Sequence, residues 1–438
     1  MFSTAEMRRV VSGDAWVAAM LEVEAALARA EARDGIIPFE AAEAVVAACA
    51  SVQPDVDALA DATLAAANPA GPLVTALRAH SPAAAEHVHH GATSQDIVDS
   101  AMMLIARRGV ALVLRDLDAA AAVCAHLADA HRETPMAART LLQQAVPMSF
   151  GMKAATWLSL LCDARDRLSG LRFPVQLGGA AGTMSVLGDS GPAVSDALAD
   201  ELGLDMSPVP WHVNRTPVVD VAAAVGIAAG AFGKIALDVT LLAQREVGEV
   251  RAGNGTSSAM PHKQNPSSAV AVQACARRAH ALVPVFFGAM FSEHERATGA
   301  WQAEWESLSQ LLELTSAAAA STRELLAGLE IDTDRMRANL EAPLPGLVMS
   351  EAVVTALATH VGRVDARAII DGAVARSVEA HRPLRDVLLD TAEVSAVLSP
   401  AELDRALDPA ASFGASSTLI DRALGRSRQA RPGAEEEH

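Results

Sequence analysis

The chain has 438 residues, 51% of them hydrophobic and 3% aromatic, with no tyrosine, so it can bury a large core and is not a disordered protein. Strong helix formers dominate while β-branched and aromatic strand formers are scarce, which predicts an all-α fold. The formal net charge of −18 excludes non-specific binding to nucleic acid or to an anionic membrane, because no basic stripe is there to displace counterions.

In chain order, Ser12-Gly13-Asp14 opens the first long helix, with Trp16, Met20, Val23 and Leu27 on one face and Gly35 and Pro38 closing it. Helical patterning with short breaks continues to about residue 80. In "EHVHHGATSQDIVDS" (86–100), Thr93 and Asp96 have capping-box spacing, and Ile97, Ala101 and Leu104 begin the stripe of a helix reaching about Arg132. "ETPMAARTLLQQAVP" (133–147) is a polar interruption, after which helix resumes through Trp157 to Leu168. The glycines of "QLGGAAGT" (176–183) mark a turn where backbones approach closely.

The next helix, from about Pro217 to Val250, is apolar almost all round in its first half, as in the middle of a bundle or between subunits. In its second half Lys234, Asp238, Arg245 and Glu249 fall along one stripe. "GNGTSSAMPHKQNP" (253–266) then breaks the helical run, and Asn265 and Pro266 suit the N-cap and first position of another helix. Helices continue to about residue 330, "EAPLPGLVMSEAVV" opens a smaller helical segment, and "SRQARPGAEEEH" reads as a disordered tail. The expected organisation is a helical domain over 1–92, a central long-helix bundle over 93–345 with the loop 253–266, a C-terminal helical domain over 346–426, and a tail over 427–438.

Cys49, Cys124, Cys162 and Cys275 are far apart with no C-x-x-C spacing, which predicts buried free thiols in a reducing cytoplasm. The N-terminus has no signal-peptide core. The longest stretch free of strongly polar side chains, Val221 to Gly233, is 13 residues, short of the roughly 20 that span a bilayer. A soluble protein with no membrane or nucleic-acid partner is expected.

The loops near 86–96, 133–147 and 253–266 could be polar only because water satisfies their backbones. However, helices of 30 or more residues are about 45 Å or more long. Loops at opposite ends of such rods cannot meet in one chain, so antiparallel packing of several subunits predicts a site shared between chains. His87, His89 and His90 lack the i, i+4 spacing of a zinc pair, and no acidic or cysteine partner stands at ligand spacing. Neither a metal nor a cofactor is expected. In the third loop Gly253 and Gly255 give mobility, and Ser257, Ser258, Lys263 and backbone amides can surround an anion. No Gly-x-Ser-x-Gly elbow surrounds these serines and no Gly-Lys-Ser/Thr phosphate loop is present.

"SSAMPHKQNP" resembles the signature Gly-Ser-Ser-x-Met-Pro-x-Lys-x-Asn-Pro of the aspartase/fumarase superfamily, and "HHGATSQD", "TPMAARTLLQQAVP", "QLGGAAGT", "EVGEV" and "ERATGAWQAEW" resemble it in the same order. The resemblance implies making or breaking a C–N or C–O bond β to a carboxylate, in a homotetramer built around a helical bundle with sites drawn from three chains. It implies that Ser257 is the mobile-loop base and that Lys263 and Asn265 hold the substrate carboxylate and its enediolate. Thr93 and Ser94 resemble carboxylate binders, Gln143 and Gln244 substrate contacts, and Arg296 a carboxylate-binding arginine. His89, His90, Arg139, Ser258 and Met260, within the same motifs, complete the expected set. A proton beside a carboxylate is weakly acidic, so donors aimed at the developing enediolate would carry much of the catalysis. Serine is a poor base at its free pKa, and Ser257 would require a dry, closed site with positive potential from Lys263 and the loop amides.

Several branches, adenylosuccinate lyase among them, have Arg-Thr-His-Gly-Gln-His where this chain has Arg139-Thr140-Leu141-Leu142-Gln143-Gln144. Leucine transfers no proton. With "LLQQA", "GAWQAEW" and "PHKQNP" the chain resembles the 3-carboxy-cis,cis-muconate cycloisomerase branch, in which a carboxylate of a tricarboxylated diene closes a lactone. A carboxylate leaving group needs no strong acid, which makes the loss of histidine coherent. Thr256 stands where a glycine usually precedes the two serines, and "RAGNGT" is a short loop entry. Two other readings stand beside this one. The first is a sister β-eliminating lyase on another succinyl-type substrate, nitrosuccinate lyase-like or adenylosuccinate lyase-like. The second is a catalytically silent helical structural protein, against which Ser257, Lys263 and Asn265 together count.

Overall fold

The computed structural model describes residues 2–252, 255–256, 260, 264–342 and 345–429. The long helices are Gly13–Arg33, Ser94–Ala130, Phe150–Ser169, Thr216–Leu242, Ser267–Ala289 and Ala300–Ala327, as an alanine- and leucine-rich chain predicts. The chain forms two compact units, one of residues 1–117, 164–233 and 271–320, the other of 118–163, 234–270 and 321–438.

In the first unit, helix Gly13–Arg33 starts where expected: the Ser12 hydroxyl accepts from the Ala15 amide at 3.1 Å, satisfying one orphan N–H. Met20, Val23 and Leu27 are buried, and the Trp16 indole donates to Ser309 Oγ. Ile97, Ala101 and Leu104 are likewise buried. Helix Thr216–Leu242 is long and apolar enough to cross a membrane, yet its apolar stretch is mostly buried within the structure. It packs as a core helix does.

The second unit holds a C-terminal helical core around Val353, Leu357, Ile370, Leu384 and Leu388. It also holds short strands that the all-α expectation passed over: a hairpin of Pro135–Thr140 with Gln143–Ser149, and the pairs Val250–Ala252 with Leu329–Ile331 and Gly255–Thr256 with Gln264–Asn265.

Three boundaries differ from the sequence reading. The apolar helix ends at Leu242, not near Val250, and Gly248 takes a φ of 63° in the turns beyond it. Arg245 and Glu249 therefore leave the stripe, while Lys234 and Asp238 remain an i, i+4 ion pair on the helix. Asn265 pairs with Gly255 across the short strands, and the following helix begins at Ser267. The last helix, Ser416–Gln429, runs into the stretch read as tail.

Candidate active site

Those expected site residues that the structure describes fall into one set in each unit. In the first unit, the loop bearing His89, His90, Thr93 and Ser94 leads into helix Ser94–Ala130. Asp96, 1% exposed, organises it. Its Oδ2 accepts the amides of Thr93 and Gly179, both at 2.9 Å, and its Oδ1 lies 2.6 Å from His212 Nε2. One carboxylate thus joins the helix entry, the glycine turn and the segment around His212. Thr93 and Asp96 do interact, but the Asp96 amide is met by the Thr93 carbonyl at 2.9 Å. Gly178 explains the glycine cluster: a Cβ there would lie 2.7 Å from Pro210 Cβ and 2.8 Å from His212 Cε1.

Arg296 gives Nη1 to Gln95 Oε1 at 2.9 Å and Nη2 to the carbonyls of Ala180 and Gly179 at 2.8 and 3.3 Å. It fastens the glycine turn to the residue next to Ser94. Beneath this lies a buried ionic cluster. Arg215 is bidentate on Asp99, at 2.7 and 3.0 Å, and on Glu304, at 2.5 and 3.1 Å. Trp301 Nε1 and Gln95 Nε2 also donate to Asp99. Burial raises the Glu304 carboxyl above its ordinary range, with Arg215 opposing the rise.

His89 and His90 each turn Nδ1 onto a separate buried glutamate of helix Gly13–Arg33: Glu24 at 2.6 Å and Glu31 at 2.8 Å. Burial is the largest influence on His89 and works against a charge there, but the hydrogen bond to Glu24 and the charges of Glu24 and Asp96 together outweigh it, so its pKa is raised. Burial pushes the Glu31 carboxyl up to about 7 against the pull of His90. Neither glutamate was singled out from the sequence, where both read as ordinary helix residues.

In the second unit, Arg139 makes a two-pronged ion pair with Glu249, 2.6 and 2.9 Å, and Asn339 Nδ2 adds a third donor to that carboxylate at 2.8 Å. A substrate carboxylate would compete with Glu249 for this guanidinium. Burial lowers the Lys153 pKa; Asp238 opposes this, while Lys234 and Arg139 add to it. Gln143, Gln244 and Met260 are exposed and Asn265 is half-buried. Ser257, Ser258 and Lys263 lie outside the described residues. Among those described, no group of three or more His, Cys, Asp or Glu stands where it could hold a metal ion.

The hairpin turn between Arg139 and Gln144 is made by Leu141 and Leu142, with φ of 52° and 64° and exposures of 95% and 76%. Both central residues of such a turn need positive φ, which Asn-Gly supplies without the cost that leucine carries. Leu141→Asn with Leu142→Gly is expected to raise stability by about 1 kcal/mol while lowering activity, since strain of this kind is retained where function uses it. Urea denaturation read beside initial rates checks this; a variant both less stable and fully active would contradict it.

A family described as "Lyase" matches residues 4–280, and one described as "Adenylosuccinate lyase C-terminus" matches 346–423. The chain is 46% identical to a nitrosuccinate lyase of Streptomyces davaonensis, over 96% of this chain and 93% of that one. It is also 46% identical to a 3-carboxy-cis,cis-muconate cycloisomerase of Pseudomonas aeruginosa, over 97% and 94%. The crystal structure of a 3-carboxy-cis,cis-muconate lactonizing enzyme from Pseudomonas putida superposes with a TM-score of 0.91 at 40% identity, covering 98% of each chain. The chain belongs to the aspartase/fumarase superfamily of lyases and cycloisomerases.

Proposed function

We propose that the chain is a lactonising cycloisomerase acting on 3-carboxy-cis,cis-muconate, in a cytoplasmic homotetramer whose sites are shared between subunits. In the forward direction a substrate carboxylate oxygen bonds to one carbon of a C=C, and the electron pair moves onto the neighbouring carboxylate as an enediolate. Ser257 then gives a proton to the α carbon; in reverse it removes that proton as the base. Lys263 and Asn265 hold the carboxylate that carries the enediolate charge, and Thr93 and Ser94 hold another.

The observation that carries this reading is Leu141 and Leu142 at the tip of the hairpin, neither able to transfer a proton, where the motif this stretch resembles has a histidine. A substrate whose leaving group is a carboxylate has no use for that acid. A second reading has support of its own: the nitrosuccinate lyase from Streptomyces davaonensis matches equally well, and nitrite is also a weakly basic leaving group.

Purified protein is expected to convert 3-carboxy-cis,cis-muconate to the lactone, followed as loss of the diene's ultraviolet absorbance at a rate unaffected by chelator. No loss of absorbance, with fumarate and nitrite released from nitrosuccinate, would replace the first reading with the second.

A further inference from the structure

Two adjacent histidines whose rings both reach into one helix require an unusual backbone. In extended chain, neighbouring side chains point to opposite faces. Here His89 has a φ of 62° and Gly91 a φ of 66°, and the tight turn lets both rings meet helix Gly13–Arg33. Their partners, Glu24 and Glu31, are seven positions apart, which sets them about 10 Å apart along one side of that helix.

Each glutamate is expensive to keep. Glu24 is 1% and Glu31 0% exposed, and each has an Oε2 that is buried without a hydrogen-bond partner among the described residues. Such burial is costly to a fold. What it achieves is orientation: with Nδ1 held by the glutamate, each ring presents its opposite nitrogen, Nε2, away from the helix. The rings keep side-chain exposures of 15% and 31%, and neither Nε2 has a hydrogen-bond partner among the described residues. Arg78, which donates to the Val88 carbonyl, adds positive charge beside the pair. Thr93 and Ser94 follow on the same short loop, which Asp96 and Arg296 fasten to the glycine turn.

We propose that the Nε2 edges of His89 and His90, set by Glu24 and Glu31 as positioning residues, form the subsite for the additional carboxylate that distinguishes a tricarboxylate substrate from a succinate. This rests on the carboxylate-substrate reading given above and deepens it. A glutamate behind an imidazole holds one proton on Nδ1 and favours the charged ring; the imidazolium then carries its second proton on the outward Nε2, which makes a charge-assisted hydrogen bond to a carboxylate.

The test is calorimetric titration of the full-length protein with propane-1,2,3-tricarboxylate and, separately, with succinate. Wild type is expected to prefer the tricarboxylate by about tenfold or more, the worth of one charge-assisted hydrogen bond. His90→Gln and Glu31→Gln should each remove most of that preference while changing succinate affinity less than twofold. Equal loss for both probes would make the pair merely structural and overturn the proposal, as would a wild type with no preference. If Glu31→Gln fails to fold by circular dichroism, His90→Gln decides alone. Diene turnover is read separately: no turnover with the preference intact defeats the cycloisomerase reading and leaves the subsite standing. Turnover without a preference that depends on His90 does the reverse.

Discussion

Ser257→Ala is expected to remove nearly all turnover, a loss of roughly 10²- to 10⁴-fold in kcat, while KM and the elution volume of the assembly stay within twofold of wild type. The proton beside a carboxylate leaves only as the enediolate forms, so a serine base would act in the transition state and contribute little to binding. A change confined to kcat is the signature of such a group. A drop of less than tenfold would remove Ser257 from the role of base. Mixing Ser257→Ala with an inactive Thr93→Ala protein extends the test to the shared site. If the two loops that meet at a site come from different chains, hybrids formed by subunit exchange should regain part of the activity. Hybrids proven by mass spectrometry to have formed, yet silent, would mean that both loops serve a site within one chain.

The helices were legible because their causes are local. Ser12 before an apolar stripe, and Ile97, Ala101 and Leu104 at helical spacing, state where a helix starts and which face it buries, and the structure follows them. The glycine cluster was legible for a similar reason, since only a missing Cβ lets Gly178 lie against Pro210 and His212. The hairpin was not, because its turn is made by Leu141 and Leu142 in place of the Asn-Gly that marks such turns. The end of helix Thr216–Leu242 was also missed: nothing in "LLAQREVGEV" breaks helical propensity before Gly248. What draws Glu249 out of the stripe is a tertiary partner, Arg139, 110 positions away.

The chemistry of the site divides in the same way. The signature loop announces itself by motif, although Ser257, Ser258 and Lys263 lie outside the described residues. The framework behind Thr93 and Ser94 does not. Gln95, Asp96, Asp99 and Ser100 would pass for the wet face of a new helix, yet each is at most 1% exposed. Their partners, His212, Arg215 and Trp301, are 116 to 202 positions away. Periodicity reports which residues are apolar and cannot report which polar residues will find each other.

That buried framework gives the largest effect expected on stability. Arg215→Met should cost about 3–5 kcal/mol in urea denaturation, the usual consequence of removing one partner from a buried ion cluster. Arg215, Asp99 and Glu304 are all at most 1% exposed, and without the guanidinium two carboxylates would face each other, with the neutral donors Trp301, Gln95 and Gln176 left to Asp99. The loss should shrink as pH falls. Burial already raises the Glu304 pKa, and the variant lacks the opposing charge, so protonation in the folded state relieves the repulsion. A raised carboxyl stabilises the fold at low pH and ceases to do so as pH rises through its folded pKa. Replacing the whole cluster, Arg215→Met with Asp99→Leu and Glu304→Leu, should restore much of the stability, because no buried charge is then left unpaired. It should not restore turnover, because Asp99 accepts from Gln95, and Gln95 in turn accepts from Arg296 beside Ser94. A single variant costing under about 1 kcal/mol, the range of an exposed pair, would show that water reaches this cluster; a triple variant with full activity would show that the cluster does not position the Thr93–Ser94 loop.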